Sequence, residues 1–390
     1  MSRRVAVIVL DGVGCGAAHD AAAYGDTGSH TLGHVLEQAP SLRLPHMERL
    51  GLGHVDTLHG VAPLASHSGA VTMLEPMSAG KDSTTGHWEI AGIVLERPFP
   101  TYPHGFPSEI LSAFSQATGR PVIGNCVAGG TAILDTLAAE HVETGAWIVY
   151  TSADSVFQIA AHETVVPLDE LSRACDIARA LLVSPHDVSR VIARPFTGSE
   201  GAWLRTTNRR DYSIEPRGET LLDALHAAGV SRTGIGKVDD LFASRAISST
   251  HTHDNAEGIA LIREWLASTA DGFLFANLVD FDQAFGHRND VAGFAGALAQ
   301  FDAALPELLA AMRRDDLLFI TADHGNDPTT RGTDHARERV PLLVAGETVR
   351  PVVLPPRPTF ADLGATVADA FGVAWRGRGT SFLPLIAKAA

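Results

Sequence analysis

Three short apolar runs, each ending at a carboxylate, constrain the fold of this chain more than any other feature. Residues 5–10 run into Asp11, residues 273–279 into Asp280, and residues 317–321 pass through Ala322 into Asp323. Each is about one strand long and lacks the alternation of a half-exposed strand. Strands of that kind are covered on both faces, as in a parallel sheet with helices on either side. Functional groups in such sheets gather just beyond the carboxyl ends of the strands, and that is where these carboxylates recur. The expected class is therefore α/β, with a mostly parallel sheet between helices.

Between the runs the periodicity turns helical. Leu221, Leu222 and Leu225 precede Gly229, a helix stop, while Ile259, Ile262, Trp265 and Leu266 recur at helical spacing, as do Leu298, Phe301, Leu305, Leu308 and Leu309. Such stripes are core packing and carry no chemistry. No internal repeat, heptad run or low-complexity tail interrupts the pattern. From Arg97-Pro98-Phe99-Pro100 onward, however, the chain is punctuated by Pro103, Gly105 and Pro107. It then carries a strand of its own at 147–151 and a helix near 169–182, and the core pattern resumes only after Asn208-Arg209-Arg210-Asp211. This organisation reads as an α/β cap domain at 98–215 inserted into a discontinuous core of 1–97 and 216–390. A chain of 390 residues is long enough for both.

Composition excludes some functions. No apolar run approaches the roughly 20 residues of a membrane span. The charged prefix Ser2-Arg3-Arg4 before residues 5–10 superficially resembles a secretory leader, but the run stops at Asp11-Gly12 after a single strand length. The expectation is a cytoplasmic protein with no membrane partner. A formal charge of −15 argues against nonspecific nucleic-acid binding. It leaves small phosphate esters open, since bound cations override an acidic average. Cys15, Cys126 and Cys175 lie far apart with no CxxC spacing, so buried free thiols in a reducing compartment are expected.

Acidic and imidazole groups concentrate in four segments: Asp11; Asp280, Asp282 and His287; Asp323, His324 and Asp327; and Asp334 with His335. Any one of these fits helix capping or surface exposure, but four together fit a metal centre. Carboxylate oxygen with imidazole nitrogen and no thiolate suits Mn²⁺, Mg²⁺ or Zn²⁺, and six such ligands could hold two ions that clamp a phosphoryl transfer from both sides. His251-Thr252-His253-Asp254 is a rival cluster, read here as helix capping and surface. A fifth segment, GKDSTTGHWE at 80–89, brackets three hydroxyls with glycines beside Lys81 and His87. A serine there needs a base or a metal to become nucleophilic; the alternative is a turn that caps the following helix. Gly12-Val13-Gly14-Cys15-Gly16-Ala17 formally matches a dinucleotide fingerprint. Asp11 would set negative charge against the pyrophosphate, and the second strand with its ribose-binding acid is missing.

Residues 80–89, the stretch from Asp280 to Arg288, TADHGNDP at 321–328 with Gly332-Thr333-Asp334-His335, residues 26–34 and Ile235-Gly236-Lys237-Val238-Asp239-Asp240 together resemble the signatures of bacterial phosphopentomutases. They occur in the same order across nearly the whole chain. The resemblance implies an alkaline-phosphatase-like core carrying an inserted cap. It implies one manganese ion on Asp11, Asp323 and His324 and a second on Asp282, His287 and His335. The family's phosphorylated threonine falls on Ser83, with Thr84 and Thr85 as alternative positions. Ser152 and Asp154 would meet the ribose, and Arg190, Arg194 and Lys237 the distal phosphate, by charge-assisted hydrogen bonds. The implied reaction interconverts α-D-ribose 1-phosphate and D-ribose 5-phosphate, with the 2-deoxyribose pair as further substrates. It would pass through a phospho-enzyme primed by glucose 1,6-bisphosphate or ribose 1,5-bisphosphate. A metal-dependent phosphatase or a phosphoglycerate mutase on the same scaffold is the alternative, since the ADHGND element alone marks only the superfamily.

Overall fold

The apolar run that follows Arg4 becomes the strand Arg4–Leu10, buried at every position, in a computed structural model that describes residues 4–152 and 154–388. It pairs in parallel with Gly272–Leu278 on one side and Leu317–Thr321 on the other. The three strands, of seven, seven and five residues, are buried at every position, which explains the lack of alternation, since both faces are covered; each large aliphatic side chain so buried contributes about 1.5–3 kcal/mol. Arg4, which reads in sequence as part of a charged prefix, lies inside: it is 1% exposed, ion-paired with Asp316 and bonded to the carbonyls of Leu266 (2.6 Å) and Ser268 (3.2 Å).

The register decides where chemistry can happen. Leu10 stands beside Leu278 and Val9 beside Thr321, so the segments that begin at Asp11, Asp280 and Asp323 all leave the sheet at one edge. Beyond Leu317–Thr321 the parallel run ends. Val340–Ala345 is antiparallel both to it and to Ala70–Leu74, because the loop that follows Asp323 returns to the sheet at the edge it left. That return places His335 at the same edge. Leu74 is registered with Val340, so the segment leading to the helix Ser83–Ile90 emerges there too. The full order is Ser249–Thr250, Arg232–Ile235, Gly272–Leu278, Arg4–Leu10, Leu317–Thr321, Val340–Ala345, Ala70–Leu74 and Val352–Val353. Helices Asn255–Ala267, capped by Asp254, and Val291–Ala310, capped by Asp290, carry the apolar stripes read in the sequence.

Chain contacts divide the molecule into two compact units, Met1–Arg97 with Pro216–Ala390, and Pro98–Glu215. The second has its own sheet, ordered Val122–Val127, Trp147–Thr151, Val156–His162, Arg190–Thr197 and Leu204–Arg205, with Arg210–Ser213 also on Arg190–Thr197. Phe106, Phe114, Trp147, Phe157 and Val191 pack its interior. Cys15 and Cys175 are buried, but Cys126 is exposed, against expectation. It sits on Val122–Val127, which pairs with a neighbour on one side only and is covered on neither face throughout. Among the described residues no helix is long and apolar enough to cross a membrane.

Candidate metal centre

At the carboxyl edge of the core sheet the donor atoms of Asp282, His287 and His335 lie within 4.8 Å of one another, and so do those of Asp11, Asp282 and His324. Asp282 is common to both groups. It stands on a single π-helical turn, Phe281–Phe285, a feature that recurs at functional sites. Its two oxygens face different rings, Oδ2 at 3.2 Å from His287 Nε2 and Oδ1 at 3.3 Å from His335 Nε2. Asp11 Oδ1 is 3.3 Å from His324 Nε2, and Asp323 Oδ2 stands beside that group, 3.5 Å from the same nitrogen.

The ring nitrogens are oriented for ligation. His287 Nδ1 lies 2.5 Å from the Thr333 carbonyl and His324 Nδ1 lies 3.0 Å from the Gly325 carbonyl. A carbonyl only accepts, so each Nδ1 carries a proton, and Nε2 is the nitrogen that faces the centre. His335 Nε2 approaches His287 Nε2 to 3.1 Å. The carboxylates are set as firmly: Asn277 Nδ2 donates to Asp11 Oδ2 at 2.9 Å, Asn326 Nδ2 to Asp282 Oδ1 at 2.7 Å, and the Gly12 amide to Asp323 Oδ1 at 3.1 Å. Gly12 has φ +75°, and a Cβ there would meet Asn326 Cβ at 3.1 Å. The glycine-rich stretch thus serves this turn, and among the described residues the first α-helix after it, Thr31–Gln38, starts well beyond Ala17, unlike a dinucleotide fold.

Asp11, Asp282 and Asp323 are all buried, and three carboxylates so close call for positive charge. Burial pushes the Asp11 carboxyl up, and Asp323 and Asp282 push it further. Burial opposes ionisation of Asp282 too, but His335 and the bonds from His287 and His335 hold it well below the usual range. Burial would lower the His324 imidazole, yet Asp323, the Asp11 hydrogen bond and Asp282 raise it well above. Asp323 Oδ2 lies 3.0 Å from His87 Nδ1, which also faces the Ser83 carbonyl at 2.9 Å. Oxygen and imidazole donors and an excess of buried carboxylates fit divalent cations.

Ser83 opens the helix Ser83–Ile90, whose N-cap is Asp82, with its side chain accepting from the Thr85 amide at 3.1 Å. Ser83 Oγ lies 3.1 Å from His324 Nε2 and 3.5 Å from Asp11 Oδ1. The neighbouring hydroxyls are placed otherwise: Thr85 Oγ1 donates to Asp82 Oδ2 at 2.6 Å, and Thr84 is buried. The cap is Asp82 and not one of the three hydroxyls, and Ser83 Oγ faces the candidate centre.

In the 98–215 unit, Ser152 follows the strand Trp147–Thr151 and accepts from the Asp154 amide at 3.3 Å; Ala153 lies outside the described residues. Arg190 reaches Asp154 at 3.8 Å and Asp211 at 3.5 Å. Arg194 is four residues along the same strand, donating to Gln158 Oε1 at 3.0 Å. Burial, then the nearby Arg209, push its guanidinium down to about 10, a crowding of positive charge suited to an anion. Lys237, in the other unit, hydrogen-bonds Gln283 beside Asp282. His251 pairs with Asp239 at 2.8 Å in a half-exposed group with Asp240, while Asp254 caps its helix.

Sequence reasoning gave His87 no role and passed over Asn277. His87 is wholly buried, its Nδ1 2.9 Å from the Ser83 carbonyl and 3.0 Å from Asp323 Oδ2. Asn277 had a signal, as the one amide in an otherwise apolar strand. Asp280 and Asp327, singled out with the ligands, serve locally: Asp280 accepts from the Asn255 amide at 2.7 Å, and Asp327 holds Thr329 and His34.

A family model described as the metalloenzyme superfamily matches residues 3–374. The phosphopentomutase of Caldanaerobacter subterraneus subsp. tengcongensis is 54% identical over 385 residues, 98% of this chain and 98% of that protein. The phosphopentomutase of Acetivibrio thermocellus is 50% identical over 383 residues, covering 98% and 99%. The solved structure of Leishmania mexicana phosphoglycerate mutase at low cobalt concentration superimposes with a TM-score of 0.50 and 11% identity over 97% of each chain, a likeness of fold alone.

Proposed function

The chain belongs to the phosphopentomutase family within the metalloenzyme superfamily, and from that premise we propose a route in which Ser83 carries the phosphoryl group. As a member it is a metal-dependent isomerase with an alkaline-phosphatase-like core, interconverting α-D-ribose 1-phosphate and D-ribose 5-phosphate. The observation that carries the route is the position of Ser83 Oγ, 3.1 Å from His324 Nε2 at the start of a helix. When bound, two divalent ions, manganese in this proposal, held by Asp11, Asp323 and His324 and by Asp282, His287 and His335, neutralise charge on the transferred phosphoryl oxygens and lower the serine pKa.

Glucose 1,6-bisphosphate or ribose 1,5-bisphosphate primes Ser83: a sugar O–P bond breaks, the Ser83 Oγ–P bond forms, and the sugar monophosphate leaves with the serine proton on its freed oxygen. The phosphoserine then gives its phosphoryl group to the free hydroxyl of a pentose monophosphate: the Ser83 Oγ–P bond breaks, a sugar O–P bond forms, and a proton returns to Ser83. The bisphosphate reorients and its other phosphoryl group comes back to Ser83. The helix N-terminus favours the anion held there. In the 98–215 unit, Ser152 and Asp154 address sugar hydroxyls and Arg190 and Arg194 address phosphate; in the core, Lys237 addresses phosphate. The 2-deoxyribose pair enters the same way. The reading is tested with Ser83→Ala. Loss of isomerisation with metal content retained supports it; unchanged turnover would sink it.

A further inference from the structure

We propose that Arg337 and Glu89 form a buried clamp that positions the loop presenting Ser83, and through it sets the rate of phosphoryl transfer. The inference rests on Ser83 being the phosphoryl carrier. Residues 76–80 connect the sheet edge to the Lys81-Asp82-Ser83 turn. They are irregular, so no helix or strand ladder fixes them, and their backbone groups need other partners.

Arg337 supplies those partners for the carbonyls. It is 2% exposed and its guanidinium has five N–H donors. Nη1 donates to the carbonyls of Ser78 and Gly80, each at 2.6 Å; Nη2 donates to the Pro76 carbonyl at 3.0 Å and to Asp20 Oδ2 at 2.9 Å; Nε donates to Asp20 Oδ1 at 3.0 Å. Every donor is used. The guanidinium face is covered by the Tyr24 ring, 4.7 Å away. Its geometry is therefore fixed at edge and face, and a point charge such as lysine cannot reproduce it.

Glu89 supplies the partners for the amides. It lies on the nucleophile helix itself, 1% exposed. It accepts from the Met77 amide at 2.9 Å, the Ser78 amide at 2.7 Å, Thr359 Oγ1 at 2.7 Å and the Phe360 amide at 3.0 Å. The loop is thus gripped through its carbonyls by a buried cation and through its amides by a buried anion. Arg337 also follows the ligand candidate His335 by two positions, and its amide donates to Asp26 Oδ2 at 2.8 Å, the carboxylate that Lys81 Nζ reaches at 3.0 Å. One short segment therefore carries a ligand and fixes the approach of the nucleophile. Both residues are positioning residues, since they act through the loop.

The test compares manganese-loaded parent, Arg337→Lys and Asp20→Asn enzymes. It reads Ser83 phosphorylation by glucose 1,6-bisphosphate in rapid quench, kcat and KM for ribose 1-phosphate, manganese affinity and Tm. Arg337→Lys is expected to lower the phosphorylation rate and kcat about 100-fold, the cost of roughly 1 Å of misplacement, with KM and manganese affinity within about threefold. Asp20→Asn leaves the carbonyl contacts intact and is expected to lower Tm while keeping kcat within about threefold. Should the lysine variant not fold, Glu89→Gln takes its place under the same thresholds, since it sets an amide where two backbone amides need an acceptor. The clamp is refuted if the variant keeps kcat within about threefold, if its manganese affinity falls in step with kcat, or if Asp20→Asn loses as much kcat. Absence of a Ser83 adduct in the parent refutes instead the phosphoserine route.

Discussion

Adding one methyl group at Gly86 should uncouple the nucleophile from the metal centre. Gly86 sits in the helix Ser83–Ile90 against the strand end that carries Asp323. A Cβ at that position would meet the Asp323 carbonyl oxygen at 2.1 Å and Asp323 Cβ at 2.8 Å, where ordinary contact begins at 3.4 Å. Helix and strand end must therefore separate by about 1 Å, and both sides of the contact are backbone or anchored to it. Intrinsic propensity points the other way: alanine favours a helix over glycine by about 1 kcal/mol. Overpacking costs about 1–3 kcal/mol, so Gly86→Ala should be neutral to about 2 kcal/mol less stable. Its effect on activity should be far larger, since displacing Ser83 Oγ by about 1 Å from His324 should lower kcat about 100-fold. Initial rates of ribose 1-phosphate conversion at saturating substrate, with a thermal melt, separate the two effects. A variant that is fully active and about 1 kcal/mol more stable would mean that propensity governs this position and that the close approach is dispensable.

Glu338 is buried and accepts from Thr31 Oγ1 at 2.8 Å and the Thr31 amide at 2.9 Å, yet burial pushes its carboxyl from 4.5 up to about 7. The folded chain therefore holds a proton that the unfolded chain releases, and stability falls as pH rises through the window from 4.5 to about 7, by about 3 kcal/mol in isolation. Glu338→Gln should flatten urea midpoints of metal-free protein between about pH 5 and 8; equal slopes in parent and variant would contradict this. Asn277→Ala removes the donor to Asp11 Oδ2 and should weaken manganese binding about 10- to 100-fold by calorimetry. Unchanged affinity would mean that Asp11 is oriented without it.

The strand ends were legible because burial on both faces writes itself as an unbroken apolar run and a carboxylate breaks it. Asp11 and Asp323 were found that way. Sheet order was not legible, since pairing of Arg4–Leu10 with segments some 270 and 310 residues away leaves no local trace. The antiparallel return at Val340–Ala345, which brings His335 to the edge, reads locally like any other buried strand. Local sequence offered three adjacent hydroxyls. Only packing separates Ser83, facing the centre, from Thr85, which turns back to Asp82. Arg337 drew no reading from the sequence, and Cys126, expected buried, is exposed. An arginine in a loop looks solvated and a cysteine in a strand looks buried, and only tertiary context reverses each.

The central claim is that Ser83 carries the phosphoryl group. The direct measurement is intact mass of the manganese-loaded enzyme after a trace of glucose 1,6-bisphosphate, with peptide mapping and conversion of ribose 1-phosphate followed in the same sample. A single phosphoryl adduct on Ser83, with ribose 5-phosphate formed, is the expected result. An adduct on Thr84 or Thr85, or turnover with Ser83 unmodified throughout, would contradict it.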